Sequence, residues 1–309
     1  MANVQPTAYF RDRLVPFTEA NLSIASAPML YGLSIYTVFP VFWNAKKAEL
    51  QMFRLPDHFK RLQNSAKILA LDNFLQEWDY EKFLNVMHEL LLKNKVQEDS
   101  LVRVSVFVDG VLSGTRMHGL DHNLAAFVYA AAPLLPPTGA KLCVSNWRRT
   151  PDNAIPSRAK VNGSYVNAAL MKNEALLSGF DDAIALDEQG HVAESTVANI
   201  FLVRDGKLIT PSGSTDLLEG ITRDTIFRLA DELGIQHEQR TIDRSELYLA
   251  DEIFLSGSSM QITPVISVDH RSIGAAKAGA LTEQLLKYYQ ECGRGLNQLF
   301  LPWCTPVTG

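Results

Sequence analysis

The chain has 309 residues, of which 47% are hydrophobic and 20% are charged, and its formal net charge is −5. This composition is that of an ordinary globular protein, because a disordered chain would carry more charge and fewer apolar residues. The negative charge balance argues against nucleic acid as the main partner. The length favours two domains over one.

The three cysteines lack the spacing of a zinc site or of a disulfide framework. They are Cys143, Cys292 and Cys304. We therefore expect no metal site and a cytoplasmic location. No apolar run approaches the length of a membrane span, and the N-terminus lacks the basic and apolar segments of a signal peptide, so we expect neither membrane insertion nor secretion.

Residues 1–131 show the pattern of a small α+β unit. Apolar residues on both sides of Arg11-Asp12-Arg13 predict a hairpin, and a β-branched and aromatic run predicts that a strand over residues 33–42 pairs with residues 50–55. Pro40 predicts that this strand lies at a sheet edge or contains a bulge. The later predicted elements are helices that begin near Pro56 and Asp79, and strands over residues 101–108 and 124–131.

A proline-dense segment over residues 132–139 predicts a linker between a small domain, residues 1–131, and a larger domain, residues 140–309. Short glycine-containing turns in the larger domain are typical of antiparallel meanders. Its predicted strands cover residues 141–145, 183–186, 192–194, 199–203, 207–210, 252–256 and 264–268. Its predicted helices cover residues 166–177, 222–233 and 281–289. Thr222 can cap the second of these helices, and the pair Arg148-Arg149 is expected on a solvated turn.

Three features of the larger domain fit pyridoxal phosphate, which needs an amine, a carboxylate beside its ring nitrogen and an anion site. Lys160 lies outside any regular apolar period and can supply the amine, and Glu194 at a strand end can supply the carboxylate. Taken alone, each is more often a solvated side chain.

Two hydroxyl-bearing turns can provide the anion site. Gly220-Ile221-Thr222 offers backbone N–H groups at the start of a helix, and Gly257-Ser258-Ser259 directly follows a strand. Arg61 can add a forked contact to the same phosphate. In isolation an ordinary capped helix, a tight turn and a solvated arginine explain these features as well.

Short motifs follow one another along the chain in a distinctive order. They are Ala159-Lys160, Asn162, Tyr165, Glu174-Ala175, Gly179, Ala185-Leu186-Asp187, Gly190, Glu194, Asn199-Ile200-Phe201, Thr210-Pro211, Gly220-Ile221-Thr222-Arg223, Leu229-Ala230, Gly234-Ile235, Leu249-Ala250-Asp251-Glu252 and Ile262-Thr263-Pro264-Val265. This order resembles the class IV (fold type IV) pyridoxal-phosphate aminotransferases, and within them the branched-chain amino acid aminotransferases. The resemblance runs from about residue 31 to residue 289 and is most specific between Lys160 and Val265.

The resemblance implies an α+β fold of two domains, a small α/β N-terminal domain and a larger, mostly antiparallel, β-barrel-like C-terminal domain with helices. It also implies a homodimer whose site takes residues from both subunits. By position, Lys160 resembles the Schiff-base lysine and proton carrier, Glu194 the partner of the pyridine nitrogen, and Tyr165 the donor to the ring oxygen. The residues that fall where the family holds the phosphate are Arg61, Ile221, Thr222, Ser258 and Ser259.

The small domain departs from the branched-chain enzymes at Tyr36-Thr37-Val38, where they usually carry an aromatic, an acidic residue and a glycine. The string that runs from Tyr36 to Phe39 is closer to the (R)-selective amine transaminases. Arg103 falls where the branched-chain enzymes have an arginine beside the carboxylate pocket, but Leu101 replaces their neighbouring tyrosine. Arg116 is a further candidate carboxylate ligand or an exposed loop residue. The candidate substrate contacts are therefore Tyr36, Val38, Leu101, Arg103 and Arg116.

The expected function is a ping-pong transaminase reaction between a branched-chain or other hydrophobic amino acid and 2-oxoglutarate. The expected partners are this amino donor and keto-acid acceptor, with no nucleic acid and no membrane. An (R)-selective amine transaminase and a D-amino acid transaminase remain open as alternatives. More distant alternatives are a pyridoxal-phosphate-dependent lyase and a non-catalytic protein that binds the cofactor.

Overall fold

The computed structural model describes residues 3–307, and these residues group into two compact units. Unit 1 contains residues up to 132 together with residues 159–163 and those from 291 onward, and unit 2 contains residues 133–158 and 164–290. The predicted domain boundaries stay a prediction. The two units do not coincide with the predicted domains: residues 159–163, which carry Lys160, and the C-terminal segment both group with unit 1.

The helices and strands follow one another along the chain as mixed α and β elements. The helices are α1 (Ala27–Tyr31), α2 (Leu55–Ile68), α3 (Asp72–Glu77), α4 (Tyr80–Lys93), α5 (Tyr165–Leu177), α6 (Ile221–Glu232) and α7 (Ala280–Gly293). The strands are β1 (Val4–Phe10), β2 (Arg13–Pro16), β3 (Ser34–Asn44), β4 (Glu49–Phe53), β5 (Ser100–Val108), β6 (His122–Ala130), β7 (Ala140–Arg148), β8 (Asp182–Leu186), β9 (Val192–Ser195), β10 (Asn199–Arg204), β11 (Lys207–Pro211), β12 (His237–Arg240), β13 (Glu252–Gly257), β14 (Gln261–Val268), β15 (Arg271–Ser272) and β16 (Cys304–Val307).

Unit 1 is built on a sheet that has seven strands within residues 3–307, in the order β16-β4-β3-β5-β6-β1-β2, and these strands pair antiparallel. The predicted hairpins, helices and strands of this unit are confirmed, and the Asp79 side chain caps α4 by accepting from the Lys82 N–H at 2.8 Å. Helix α3 and strand β16 were not predicted. The edge position or bulge predicted at Pro40 is wrong, because β3 lies between β4 and β5 and its register with both strands shows no shift. The pairing with β4 begins only at Val41, beyond the proline.

The segment of residues 159–163 belongs to unit 1 because it is held against β3. Val161 forms an isolated bridge with Ile35, and the Tyr36 N–H donates to the Lys160 carbonyl at 2.9 Å. Gly32, with a φ of +69°, approaches Gly163 so closely that a Cβ on Gly32 would lie 2.9 Å from the Gly163 Cα. The backbone at the Lys160 carbonyl and at Val161 is therefore tied to β3.

Unit 2 is built on a sheet of nine strands in the part of the chain that the structure describes, in the order β12-β11-β10-β13-β14-β7-β8-β9, with β15 beside β14. The hairpins β8–β9, β10–β11 and β13–β14 are antiparallel, while β7 runs parallel to both β8 and β14. The expected mostly antiparallel sheet with helices is therefore confirmed. Its core is a cluster of buried aliphatic side chains that includes Leu142, Ile184, Ile200, Leu202, Ile253 and Leu255.

The cap predicted for α6 is wrong. Helix α6 begins at Ile221, its N-cap is Gly220, and among the described residues no side chain caps it. Thr222 therefore lies inside the first turn. Across residues 3–307, no helix has the length and apolar composition to cross a membrane, and no group of His, Cys, Asp and Glu is placed to hold a metal ion.

Candidate active site

Lys160 lies on an irregular segment of unit 1 whose backbone is fixed by Ser65 of α2. The buried Ser65 hydroxyl accepts from the Lys160 N–H at 3.1 Å and donates to the Arg61 carbonyl at 2.9 Å. The Ser65 hydroxyl thus uses its hydrogen as a donor and one lone pair as an acceptor, at a position that water does not reach. The half-buried Lys160 side chain places its Nζ 4.9 Å from the centroid of the Tyr36 ring.

Replacing Ser65 with alanine tests this anchor. We expect Ser65→Ala to lower the free energy of unfolding by about 1–3 kcal/mol, because the Lys160 N–H and the Arg61 carbonyl each lose the hydrogen bond to the buried Ser65 hydroxyl. The better helix propensity of alanine offsets about half a kcal/mol of this loss. Denaturant unfolding measures the change, with Asn64→Ala at an exposed position of α2 as the control. Equal stability of Ser65→Ala and the wild type would contradict the anchor.

Four of the predicted substrate contacts lie on one face of the β3–β5 pair. Val38 stands opposite Arg103 and Pro40 opposite Leu101 in the antiparallel register. Directly opposite residues share a face, and side chains alternate along each strand, so Tyr36 joins them. Tyr36, Val38 and Leu101 are buried. By contrast, Arg116 is exposed in the segment between β5 and β6.

The guanidinium of Arg103 is held on this face by two contacts. Its Cζ lies 3.7 Å from the centroid of the Tyr36 ring, and its Nη2 donates to Asn162 Oδ1 at 2.5 Å. Asn162 in turn donates to Ser34 Oγ at 2.8 Å. A guanidinium has five N–H donors, so Arg103 retains donors with which it can bind an anion.

The opposite face of β3 contacts α2 through Thr37. The Thr37 hydroxyl accepts from Arg61 Nη2 at 3.2 Å and is joined by a 2.8 Å hydrogen bond to His58 Nδ1. Burial lowers the pKa of His58 well below its ordinary value, and the charges of Arg61, Arg54 and Lys160 act in the same direction. His58 is therefore a neutral imidazole that helps to fix Arg61.

In unit 2, Glu194 on β9 is a buried carboxylate with partners on both oxygens. Arg149 Nε donates to Oε1 at 2.7 Å, and Oε2 accepts from Asn199 Nδ2 at 3.2 Å and from the Leu218 N–H at 3.3 Å. The side chains of Arg149 and Glu194 are only 14% and 9% exposed. A buried charge needs such a partner, so this pair presents a fixed anion inside unit 2.

The solvated turn expected at Arg148-Arg149 is therefore wrong for Arg149. Arg148 ends β7 and is exposed, but the Arg149 N–H donates to the Leu186 carbonyl at 2.8 Å, and its side chain turns inward to Glu194. The pairing of β7 with β8, next to β9, places the two residues together. Two adjacent arginines in the sequence give no sign of which one is buried.

The predicted anion-binding residues of unit 2 lie in two places, the N-terminus of a helix and a turn between two strands. Ile221 and Thr222 are the first residues of α6, where backbone N–H groups have no helical partner. Ser258 and Ser259, both partly buried, lie in the tight turn that joins β13 to β14. Tyr165, also partly buried, begins α5.

Ser256 is an independent sign that unit 2 accommodates a polar ligand. It stands opposite Asn199 in the β10–β13 register, and its hydroxyl, in a residue that is 1% exposed, has no hydrogen-bond partner within residues 3–307. A buried polar group without a partner costs about 1–3 kcal/mol. Together with the Glu194 anion and the start of α6, this hydroxyl fits a cofactor that has a protonated ring nitrogen and a phosphate.

Comparison with protein families and curated proteins agrees with this arrangement. The model of the family described as amino-transferase class IV matches residues 35–268. The chain is 38% identical over 302 residues to a probable branched-chain-amino-acid aminotransferase of Aquifex aeolicus, covering 97% of this chain and 96% of that protein. It is 34% identical to the branched-chain-amino-acid aminotransferase of Escherichia coli K12, covering 90% of this chain and 89% of that protein.

Solved structures give the same answer for the fold. The branched-chain aminotransferase of Thermoproteus uzoniensis, solved with norvaline, matches with a TM-score of 0.92 and 33% identity over 100% of both chains. The branched-chain amino acid aminotransferase of Thermobaculum terrenum, solved in its PLP-containing holo form, matches with a TM-score of 0.93 and 30% identity, covering 99% of this chain and 100% of that one. The chain therefore belongs to the class IV aminotransferases, a family of pyridoxal-phosphate enzymes. It is an aminotransferase, as the motif order predicted.

Proposed function

We propose that the chain transfers amino groups between a branched-chain or other hydrophobic amino acid and 2-oxoglutarate in a ping-pong reaction. The observation that carries this proposal is the face of β3 and β5 on which Val38 and Leu101 lie beside the stacked Arg103. An apolar wall next to one guanidinium suits a substrate with an apolar side chain and one carboxylate. The names of the similar proteins, branched-chain aminotransferases, support the same substrate class.

In the proposed mechanism, the Lys160 amine would hold pyridoxal phosphate covalently, and this amine would be free when an amino donor is bound. Bound pyridoxal phosphate supplies the electron sink that makes the donor's Cα–H bond acidic. The Lys160 Nζ would accept the Cα proton of the donor and carry it, a role that requires the neutral amine. Its backbone contacts with Ser65 and Tyr36 fix where this side chain starts.

The remaining roles are proposed by position in the family. Glu194 would accept a hydrogen bond from the protonated ring nitrogen, and Tyr165 would donate one to the ring oxygen. Arg103 binds the carboxylate of the substrate, with Tyr36 beneath its guanidinium plane. The residues that we propose for the phosphate are Arg61, Ile221, Thr222, Ser258 and Ser259.

The substrate class is tested by removing the guanidinium. We expect Arg103→Met to lower kcat/KM for leucine by roughly tenfold to hundredfold, because a charge-assisted contact to the carboxylate is lost. Activity with an (R)-arylalkylamine, which has no carboxylate, should not fall. Arg116→Met, at an exposed arginine, is the matched control. An equal loss with both donors, or a loss in Arg116→Met alone, would contradict the role of Arg103.

The second candidate is an amine transaminase, which the buried Val38 and Leu101 favour. These side chains stand where branched-chain enzymes usually have a glycine and a tyrosine, and they change the size and polarity of the proposed substrate face. Comparing leucine with an (R)-arylalkylamine on the wild-type protein distinguishes the two candidates. A higher kcat/KM for the amine would replace the amino acid assignment.

We also propose that the enzyme is a homodimer. Helix α5 carries exposed apolar side chains along one side, with Val166 68% exposed, Leu170 on the next turn and Leu177 90% exposed. Such a stripe is more typical of a protein interface than of a solvated helix. Light scattering should show a dimer for the wild type and dissociation for Leu177→Glu, with Leu249→Glu, at another exposed leucine of unit 2, as the control. A monomeric wild type would exclude this assembly.

A cytoplasmic location is proposed from the state of the thiols. Cys143, Cys292 and Cys304 are free cysteines, and burial raises the pKa of Cys143 to about 11 and that of Cys292 to about 12. Free thiols are typical of a reducing compartment. Cell fractionation tests the proposal, and recovery of the protein outside the cytoplasm would contradict it.

A further inference from the structure

Three donors surround Glu194, and together they determine which part of the carboxylate can bind anything else. Arg149 Nε occupies a position on Oε1, while Asn199 Nδ2 and the Leu218 N–H occupy Oε2. A carboxylate has about four lone-pair positions. Within residues 3–307 three of them are filled, so the fourth, on Oε1, is the one that remains for a ring N–H.

We propose that Arg149 and Asn199 are positioning residues that hold Glu194 with this Oε1 position directed to the cofactor's ring nitrogen. The proposal rests on the proposed role of Glu194. Arg149 supplies the paired charge that a carboxylate in this buried place requires. Asn199 restrains Oε2, because the same Nδ2 also donates to the Leu218 carbonyl at 2.9 Å.

Asn199 also ties Glu194 to the segment that leads into α6. The Leu218 carbonyl accepts from Asn199 Nδ2, and the Leu218 N–H donates to Glu194 Oε2. On the oxygen of the carboxamide, a Cβ on Gly220 would lie only 2.1 Å from Asn199 Oδ1. The backbone of Gly220, with φ −73° and ψ 135°, is allowed for alanine. A methyl group at position 220 therefore acts by displacing the Asn199 carboxamide rather than by straining the backbone.

The protonation of the ring nitrogen is the readout that a merely structural role would not change. Holoenzyme reconstituted with pyridoxal phosphate labelled with ¹⁵N in the ring reports it directly by NMR. We expect Asn199→Ala and Arg149→Met to lose the ring proton at a lower pH than the wild type. We expect kcat to fall by about tenfold or more, with little change in the KM of the amino donor, because a hydrogen bond to a charged group is lost.

The controls are Arg148→Met and Asn153→Ala, an arginine and an asparagine at exposed positions, which should behave as the wild type. Arg149→Lys retains the charge and should recover part of the rate lost in Arg149→Met. Arg149→Met leaves Glu194 buried without its charge partner and can fold poorly. Gly220→Ala therefore provides a second route, because it shifts the Asn199 carboxamide while Arg149, Asn199 and Glu194 are all still present in the chain.

The double variant decides whether Gly220→Ala acts through Asn199. We expect the double variant Asn199→Ala/Gly220→Ala to lose no more kcat than Asn199→Ala alone, because both changes remove the same contact, the one between Asn199 and Glu194. Additive losses, or a wild-type ring-nitrogen titration in folded Asn199→Ala and Gly220→Ala, would overturn the proposal. Retention of the ring proton in Glu194→Gln would instead remove the proposed role of Glu194 itself.

Discussion

Lys160→Ala is expected to lose the visible absorbance of the bound cofactor and the turnover together. The alanine variant has no amine with which to hold the cofactor covalently and none with which to move the Cα proton. Loss of the proton transfer alone lowers kcat by roughly 10²–10⁴-fold, and the loss of covalent attachment adds to this. The side chain is half-buried, and its removal also takes away a cation that lies near the Tyr36 ring.

The measurement pairs an absorbance spectrum with the steady-state rate for an amino donor and 2-oxoglutarate. Lys60→Ala, at an exposed lysine of α2, is the matched control and should keep both signals. A folded Lys160→Ala that retains the visible band and full turnover would exclude Lys160 from its role. Loss of turnover with an unchanged visible band would assign the covalent attachment to another amine.

Glu194→Gln is expected to retain the cofactor and lose most of the rate. Glutamine has nearly the same shape as glutamate, but it carries no charge with which to keep the ring nitrogen protonated. Removing one preorganised electrostatic contact, such as an oxyanion-hole donor, costs about 10²–10³-fold in kcat, and we expect a loss of the same order here. Cofactor affinity should change little, because the phosphate contacts proposed at Ile221, Thr222, Ser258 and Ser259 are untouched.

Stopped-flow measurement of the half-reaction with the amino donor separates this loss from any effect on substrate binding. Glu188→Gln, at an exposed glutamate beside the β8–β9 turn, is the matched control. A normal half-reaction rate in Glu194→Gln would show that another group supports the ring nitrogen. A variant that fails to bind cofactor at all would place Glu194 in cofactor retention instead.

Local patterns in the sequence predicted most of the elements because each of them carries its own signal. The β-branched run of β3, the helical spacing of α2 and the Asp79 cap of α4 all act within a few residues. Strand β16 was missed because its four residues form a strand only by pairing with β4, about 250 residues earlier in the chain. Thr222 was taken for a cap because the chain offers a hydroxyl just inside the first turn, whereas Gly220 provides the N-cap.

The supports of the candidate site could not be predicted in the same way. Lys160 and Glu194 were identified because their motifs resemble a family, but Ser65 reaches Lys160 across 95 positions and Arg149 reaches Glu194 across 45. Only the folded chain brings such pairs together. The two adjacent arginines also show that a solvated position cannot be assigned residue by residue from the sequence. Arg148 is exposed, as predicted, whereas the side chain of Arg149 turns inward.

Amino transfer itself is tested most directly by following the visible absorbance of the wild-type holoenzyme as the two substrates are added in turn. Leucine alone should bleach the band, because one turnover moves the amino group to the cofactor and releases the keto acid. Subsequent addition of 2-oxoglutarate should restore the band without fresh pyridoxal phosphate. A band that neither leucine nor any other amino donor bleaches would contradict catalysis, and a bleached band that no keto acid restores would contradict transamination.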